Sequence, residues 1–148
     1  MSNNVIAMVP VRAGSTRVPN KNTRPFGGTS LLQLKLELLK KVVGITRIVV
    51  STDCDTSADM ALKEGAEVQW RNEYYAGSDV TNDQHWLHIA QTTPGDTVFL
   101  AQVTSPLLRV SSMQAALKAF LSFGTHDSIN SVSAEKKFLW KDTKPINY

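Results

Sequence analysis

The chain has 148 residues, 42% hydrophobic and 20% charged, a length that allows one domain with a core but not two of ordinary size. This composition excludes a disordered protein, and with no apolar run near the ~20 residues needed to cross a bilayer, neither a membrane span nor a signal peptide is predicted. The single Cys54 excludes an intrachain disulfide, so a reducing cytoplasm is the expected location.

The net charge of +3 is divided into blocks of opposite sign. Residues 1 to 50 hold eight Lys and Arg and one acid, whereas residues 51 to 100 hold two basic residues and nine acids. Such blocks favour a small anionic ligand held opposite acidic groups over a uniform nucleic-acid surface. The aromatic residues also do not alternate with the basic ones, so no nucleic-acid partner is predicted.

Predicted strands and helices alternate along the whole chain. Strands are expected at short runs of branched apolar residues, and helices where apolar residues lie three and four apart after a capping-box spacing at Ser30, Thr81 or Ser111. In chain order we predict strands at 5–11, 46–51, 67–70, 97–103 and 128–133, and helices from Ser30 to Gly44, at 56–64, at 82–92 and from Ser111 to Gly124, with an irregular segment at 71–79. The first helix has the predicted apolar face Leu31, Leu34, Leu38 and Val42. The last helix has the predicted apolar stripe Met113, Ala116, Leu117, Phe120 and Leu121.

This alternation predicts an α/β fold: one doubly wound, mostly parallel sheet with helices on both faces, in a single domain over residues 1–148. Ligands of such sheets bind outside the carboxyl ends of the strands. Candidate functional residues are therefore expected where each predicted strand ends.

The loop after the first strand carries the strongest functional signal. Gly14 lets the backbone approach an anion closely, and the neighbouring Arg12, Arg17 and Lys21 supply positive charge. The spacing matches neither a Walker A loop nor the GxGxxG dinucleotide fingerprint, which argues against a Rossmann dehydrogenase. We predict a loop that holds a nucleoside triphosphate, the alternative being a solvated turn with scattered arginines.

Metal ligands are less clearly marked. Asp53, at the end of the second strand, is a weak candidate for Mg²⁺, and its alternative role is to cap the following helix; Asp79 and Asp83 are further available carboxylates. His85 and His88 are predicted as ordinary helix-surface histidines, because zinc would need a further ligand nearby. Cys54 is predicted to be a small residue with no nucleophilic role.

The segment 12–22, R-A-G-S-T-R-V-P-N-K-N, resembles the R-x-x-S-x-x-x-P-x-K-N signature of the acylneuraminate cytidylyltransferases, the CMP-sialic acid synthetases. Further matches keep that family's order: residues 48–53, Arg71, residues 78–79, and residues 102–107. The resemblance implies a Rossmann-like nucleotidyltransferase fold. It also implies a reaction in which CTP and a sialic-acid-type 2-keto sugar acid give the CMP-sugar and pyrophosphate, with Mg²⁺ as cofactor.

The resemblance also assigns roles to individual residues. Arg12 and Lys21 would be catalytic and hold the triphosphate together with Ala13, Gly14 and Ser15, while Asn22, Arg71 and Asp79 would contact the nucleoside. Gln102, Thr104 and Ser105 would face the sugar acid, and Arg109 would meet its carboxylate, since a guanidinium suits bidentate carboxylate recognition.

The chain departs from the family pattern in two places. Val103 stands where the family usually has Pro, and Arg109 comes one position later than in the common form. Family domains also continue past the position of Tyr148, with carboxylates for the metal and much of the dimer contact. We therefore expect a truncated domain whose residues 134–148 begin an oligomerisation segment and which forms a homodimer. The alternative is a non-catalytic relative that binds nucleotide or only self-associates.

Overall fold

The computed structural model describes residues 4–14, 18–77, 79–132 and 140–146, so the candidates Ser15, Arg17 and Ser78 lie outside the described residues. The structure is built on a parallel sheet flanked by helices. Its elements are β1 (Val5–Val11), α1 (Leu31–Leu39), β2 (Arg47–Thr52), α2 (Asp55–Lys63), β3 (Glu67–Trp70), α3 (Glu73–Ala76), α4 (Asn82–Thr92), β4 (Thr97–Leu100), α5 (Val110–Ser122), β5 (Trp140–Lys141) and β6 (Lys144–Pro145).

Strand β1 lies at the centre of the fold because both of its faces are apolar. Its odd-numbered residues pack into a core with α1, α2 and α5, and its Ile6 and Met8 pack on the opposite face against Ile89 of α4. A strand buried on both faces reads as a continuous apolar run, which is what made β1 predictable. The predicted sheet with helices on both faces is confirmed.

The strand order β3-β2-β1-β4 places a topological switch between β1 and β4. The chain moves outward from β1 to β3, then crosses back to pair β4 with the other side of β1, with Ala7 opposite Phe99 and Met8 opposite Leu100. Crevices at such switch points are the usual binding sites of parallel sheets. The loops that follow β1 and β4 therefore flank the expected site.

The predicted apolar face of α1 is confirmed in part: Val42 is buried and Leu31 and Leu38 pack against the core, but the most deeply buried residues lie on the neighbouring stripe. The helix buries Leu32, Leu36 and Leu39, together with Lys35, and it ends at Leu39 rather than at Gly44. The segment L-L-Q-L-K-L-E-L-L contains two neighbouring stripes of helical spacing, and packing against the sheet selects the one that sequence periodicity did not favour.

The third predicted capping box is wrong. Helix α5 begins at Val110 with Arg109 as N-cap and no side-chain cap, so Ser111 lies inside the first turn. Gln114 bonds elsewhere: its Oε1 accepts from the Val43 N–H at 2.7 Å and its Nε2 donates to the Val43 carbonyl at 2.9 Å. Tertiary contacts thus outweigh the local motif.

Strand β2 and helix α2 are shifted by one residue from prediction, and three further segments differ by more. Strand β4 ends at Leu100 instead of residue 103, although the Ala101 N–H still donates to the Met8 carbonyl at 2.9 Å. The predicted irregular segment contains the short helix α3, which is capped by the side chain of Asn72. No strand forms over 128–132, where Ile129 and Val132 are exposed and pair with none of the described strands; residue 133 is outside the described part.

None of the described helices has the length and apolar character needed to span a membrane. Cys54 is a half-buried free thiol, and the cytoplasmic location stays a prediction. Residues 140–146 form the antiparallel pair β5 and β6. The proposed oligomerisation role of residues 134–148 stays a prediction, and residues 133–139 and 147–148 lie outside the described residues.

Candidate functional site

The loop that follows β1 is fixed to the neighbouring strand. The main-chain N–H of Ala13 donates to Oδ1 of Asp53 at 2.7 Å, and Asp53 stands directly after β2. Gly14 has a φ of +72°, a left-handed conformation that favours glycine, and nothing lies within 4 Å of the position of a Cβ there. Arg12, Ala13 and Gly14 are exposed, so this loop offers backbone and charge to a ligand at the carboxyl end of the sheet.

The second half of the loop turns back towards α1. The Arg24 N–H donates to the Asn20 carbonyl at 2.8 Å, and the Leu32 N–H donates to the Asn22 carbonyl at 3.0 Å. The side-chain Oδ1 of Asn22 is buried and accepts no hydrogen bond within the described part of the chain. Because buried polar atoms are nearly always paired, this oxygen is a candidate acceptor for a ligand.

Arg71 follows β3 and lies at the same edge. Its main-chain N–H donates to the Thr52 carbonyl at 2.8 Å, and its Nη2 donates to the Ser51 carbonyl at 3.0 Å. Burial lowers the pKa of Arg71; the charge of Asp53 raises it, and the charge of Arg12 lowers it. The structure therefore brings Arg12 and Asp53 within electrostatic reach of Arg71, as their positions at strand ends predict.

This cluster holds two guanidinium groups and one carboxylate. The Nε of Arg71 is buried and has no partner among the described residues. An arginine retains its charge in proteins, so the cluster carries excess positive charge and an unused donor. Such a site can bind an anionic, hydrogen-bonding ligand.

His85 lies beside Arg71, in the first half of α4. It is half-buried, its Nδ1 is buried without a partner in the described residues, and its pKa is lowered by burial first and then by the charges of Arg71 and His88. The His88 ring stacks on Tyr75 with ring centres 3.8 Å apart. Both rings are thus packed more closely than the ordinary surface histidines that the sequence predicts.

The loop after β4 presents polar side chains around one apolar residue. Gln102, Thr104 and Ser105 are exposed, with Thr104 Oγ1 donating to Gln102 Oε1 at 3.4 Å. Val103 is buried in the main core, so the residue that replaces the usual Pro anchors the loop. Arg109 is exposed at the N-cap of α5.

The carboxylates do not form a metal cluster by themselves. The described residues contain no group of three or more His, Cys, Asp or Glu side chains that could hold an ion. Asp53 is not the cap of α2, because Cys54 takes that position while the Asp53 carboxylate bonds to Ala13. Asp79 and Asp83 are exposed. Asp53 is the carboxylate whose charge acts on Arg71 in the basic cluster.

A protein-family model described as Cytidylyltransferase matches residues 6–137. The chain belongs to the cytidylyltransferase family. The match includes the loop after β1, the Asp53 and Arg71 positions and the loop after β4, so the predicted family is confirmed.

Curated cytidylyltransferases extend this finding. The chain is 31% identical to the CMP-N,N'-diacetyllegionaminic acid synthase of Legionella pneumophila over 120 residues, which cover 77% of this chain and 52% of that protein. It is 28% identical to N-acylneuraminate cytidylyltransferase A of Danio rerio over 155 residues, which cover 99% of this chain and 36% of that protein. The chain thus spans about half, or less, of the length of these relatives.

Solved structures confirm the fold. A CMP:2-keto-3-deoxy-manno-octonic acid synthetase complexed with CTP matches with a TM-score of 0.72 and 17% identity over 82% of this chain and 49% of that one. A cytidylyltransferase from Leptospira borgpetersenii matches with a TM-score of 0.64 and 29% identity over 84% of this chain and 51% of that one. The Rossmann-like nucleotidyltransferase fold of this cytidylyltransferase domain is thereby established.

Sequence reasoning missed one buried charge in the site region. Lys35 of α1 is 1% exposed, and its Nζ donates to the Ser105 carbonyl at 2.9 Å. A charged residue inside a leucine-rich helical stripe was the available signal. The stripe that periodicity predicts lies one position away and does not include Lys35.

Proposed function

We propose that this domain transfers the CMP group of CTP to a sialic-acid-type 2-keto sugar acid and releases pyrophosphate. The observation that carries the proposal is the basic cluster of Arg12 and Arg71 around Asp53, at the carboxyl edge of the sheet in a cytidylyltransferase chain. The names of curated relatives, which include legionaminic acid, acylneuraminate and pseudaminic acid, support a sugar acid as acceptor.

In this proposal the loop after β1 holds the triphosphate. Arg12 and Lys21 neutralise its charge, and Gly14 and Ser15 let the backbone approach the phosphates. The Ala13 N–H is already bonded to Asp53, so Ala13 contributes by fixing the loop. Arg12 and Lys21 are the residues we assign to catalysis, because charge builds up on the leaving pyrophosphate.

The nucleoside lies deeper, towards Asn22 and Arg71, with the Asp79 loop beside it. Asn22 Oδ1 and Arg71 Nε, which are buried and have no partner among the described residues, support this placement, since a cytosine base and its ribose offer matching donors and acceptors. The sugar acid lies towards Gln102, Thr104 and Ser105, with Arg109 meeting its carboxylate.

Chemically, a sugar hydroxyl oxygen forms a bond to the α-phosphorus while the bond from that phosphorus to the pyrophosphate oxygen breaks. The hydroxyl proton passes to solvent, and pyrophosphate leaves with the bonding electrons. Catalysis of such a step rests on positioning and charge neutralisation, both of which the basic loop supplies.

We propose Mg²⁺ as the cofactor, with Asp53 as its protein ligand. Mg²⁺ commonly takes one or two carboxylates and completes its shell with phosphate oxygens and water, so a single carboxylate next to the triphosphate loop fits it. One Asp53 oxygen already accepts from Ala13, which leaves the other for the ion. When bound, Mg²⁺ neutralises charge on the phosphates.

Calorimetry with CTP, followed by a pyrophosphate-release assay with Mg²⁺, tests this function. The acceptors compared are N-acetylneuraminate, N,N'-diacetyllegionaminic acid, pseudaminic acid and 3-deoxy-manno-octulosonate. Release with a nine-carbon acid and not with the octulosonate supports the proposal. CTP binding without release from any acceptor would support the alternative, a non-catalytic domain that binds nucleotide.

Lys21→Ala is the variant that tests the triphosphate loop. It should weaken CTP binding by about 1–3 kcal/mol, the range for losing a charge-assisted contact. Lys118→Ala is the matched control, because Lys118 is an exposed lysine on α5. Equal CTP affinity of both variants would count against the loop.

We also propose that the protein forms a homodimer. The described tail presents Trp140 and Ile146 with 57% and 59% of their surface exposed, which supports an apolar contact between copies. Light scattering should give twice the monomer mass, and Ile146→Asp should lower it. A monomer at high micromolar concentration would contradict this proposal.

A further inference from the structure

Lys35 is a fully buried lysine at the centre of the apolar stripe of α1. It is 1% exposed and lies between Leu32 and Leu39, both of which are completely buried. Burying an ammonium group is costly, and this burial lowers the pKa of Lys35, for which no ion pair forms within the described part of the chain. A leucine or methionine would fit the same stripe at a lower cost. What distinguishes lysine from leucine or methionine at this position is the hydrogen-bond donors of its ammonium group.

The ammonium group of Lys35 reaches the loop after β4, residues 102–108. Lys35 Nζ donates to the Ser105 carbonyl at 2.9 Å, a contact 70 residues apart in the chain. The hydrogen bonds within the loop are longer: Ser105 N–H to Gln102 carbonyl at 3.5 Å, and Leu108 N–H to Ser105 carbonyl at 3.4 Å. Since a normal N–H···O bond measures about 2.7–3.2 Å, these internal bonds are weak. The loop is fastened mainly by the Lys35 bond and by the buried side chain of Val103.

The same helix is tied to the other side of the site. The Leu32 N–H, one turn before Lys35, donates to the Asn22 carbonyl at 3.0 Å. Consecutive turns of one rigid element thus hold the end of the loop after β1 and the middle of the loop after β4. Helix α1 fixes the distance between the two loops.

We propose that Lys35 is a positioning residue that holds the 102–108 loop at a fixed distance from the triphosphate loop. The proposal rests on the proposed function only in naming that loop as the sugar-acid side of the site. Lys35 itself does not touch substrate: it acts through the Ser105 carbonyl, which leaves the exposed Thr104 and Ser105 side chains for the ligand.

The test is Lys35→Met, which removes the donor and keeps an unbranched chain in the stripe. Leu36→Met is the matched control, because Leu36 is fully buried on the same turn and its replacement removes no hydrogen bond. Backbone ¹⁵N relaxation of the ligand-free protein reports on the loop. We expect order parameters at residues 102–108 to fall from about 0.85 to below about 0.6 in Lys35→Met and to stay unchanged in Leu36→Met.

Two further readouts separate positioning from a purely structural role. The melting temperature of Lys35→Met should equal or exceed that of the wild type, because a buried charge is removed. Sugar-acid KM should rise by about tenfold or more, because the loosened loop must be ordered when the acid binds, while CTP affinity changes less than about twofold. Lys35→Leu should reproduce all three results.

Unchanged loop order parameters in both Lys35 variants would overturn the proposal, and so would a lower melting temperature with sugar-acid and CTP affinity reduced alike. A wild-type chain without sugar-acid turnover would contradict the proposed function instead. The relaxation measurement still decides the role of Lys35 in that case, because it needs no substrate.

Discussion

The main-chain N–H of Ala13 donates a 2.7 Å hydrogen bond to Oδ1 of Asp53, 40 residues further along the chain. This bond joins the loop after β1 to the end of β2. Burial lowers the pKa of Arg71, and the charge of the same carboxylate opposes that lowering. Asp53 therefore fixes the position of the loop backbone and also partly balances the positive charge of Arg71.

Removing this carboxylate should loosen the loop. We expect Asp53→Ala to weaken CTP binding, measured without Mg²⁺, by about 1.5–3 kcal/mol, the range for a hydrogen bond to a charged group. Asp53→Asn should lose less, because its amide oxygen can still accept from Ala13. The exposed Asp59 on α2 provides a control whose replacement by Ala should leave CTP affinity unchanged. Equal losses for Asp53→Ala and Asp59→Ala would contradict this role.

Gly14 and Gly65 form a matched pair for testing close backbone approach to the ligand. Both have a φ of +72° and nothing within 4 Å of a Cβ, so replacement by Ala should destabilise each fold by a similar amount, about 1–2 kcal/mol. Only Gly14→Ala should weaken CTP binding as well, because Gly65 lies at the end of α2. Denaturant unfolding and calorimetry measure the two effects. CTP affinity unaltered in Gly14→Ala would show that the phosphates do not approach this backbone.

The environment of His85 predicts a dependence of stability on pH. Burial and the charge of Arg71 lower its pKa below the ordinary value of 6.5, so between these two values the unfolded chain binds more protons than the folded one. The stabilising effect of neutral His85 is complete above 6.5 and is lost as the pH falls through the lower pKa of the folded state. The melting temperature should fall less on acidification in His85→Asn than in the wild type. His126→Asn, at an exposed position, should behave as the wild type does.

Much of the fold could be predicted because local and tertiary signals agree. Strands β1 and β3 have the predicted bounds, since each is a short run between residues that break strands. The face of α1 and the cap of α5 could not be predicted, because a leucine-rich helix offers two faces and Gln114 has a stronger partner in Val43. Sequence periodicity predicts that the helix has an apolar face, whereas tertiary packing determines which of two possible faces is buried.

For the candidate site, chain position was more informative than residue type. Arg12, Asp53 and Arg71 were predicted to converge because parallel strands place their carboxyl ends at one edge, and the structure gathers them there. The Lys35 bond to Ser105 depends on two segments 70 residues apart, so no local pattern indicates it. The roles of these residues towards CTP stay predictions that the proposed variants test.

The two capping-box sequences at Thr81 and Ser111 should respond differently to alanine. Thr81 caps α4 fully: its Oγ1 accepts from the Gln84 N–H at 3.3 Å, and Gln84 Oε1 accepts from the Thr81 N–H at 3.0 Å. Thr81→Ala should lower the free energy of unfolding by about 0.5–2 kcal/mol, the usual cost of losing an N-cap. Ser111→Ala should change it by less than about 0.5 kcal/mol, because Ser111 lies inside α5 and caps nothing. Urea unfolding of both variants measures the difference, and a larger loss in Ser111→Ala would mean that α5 starts at the sequence motif after all.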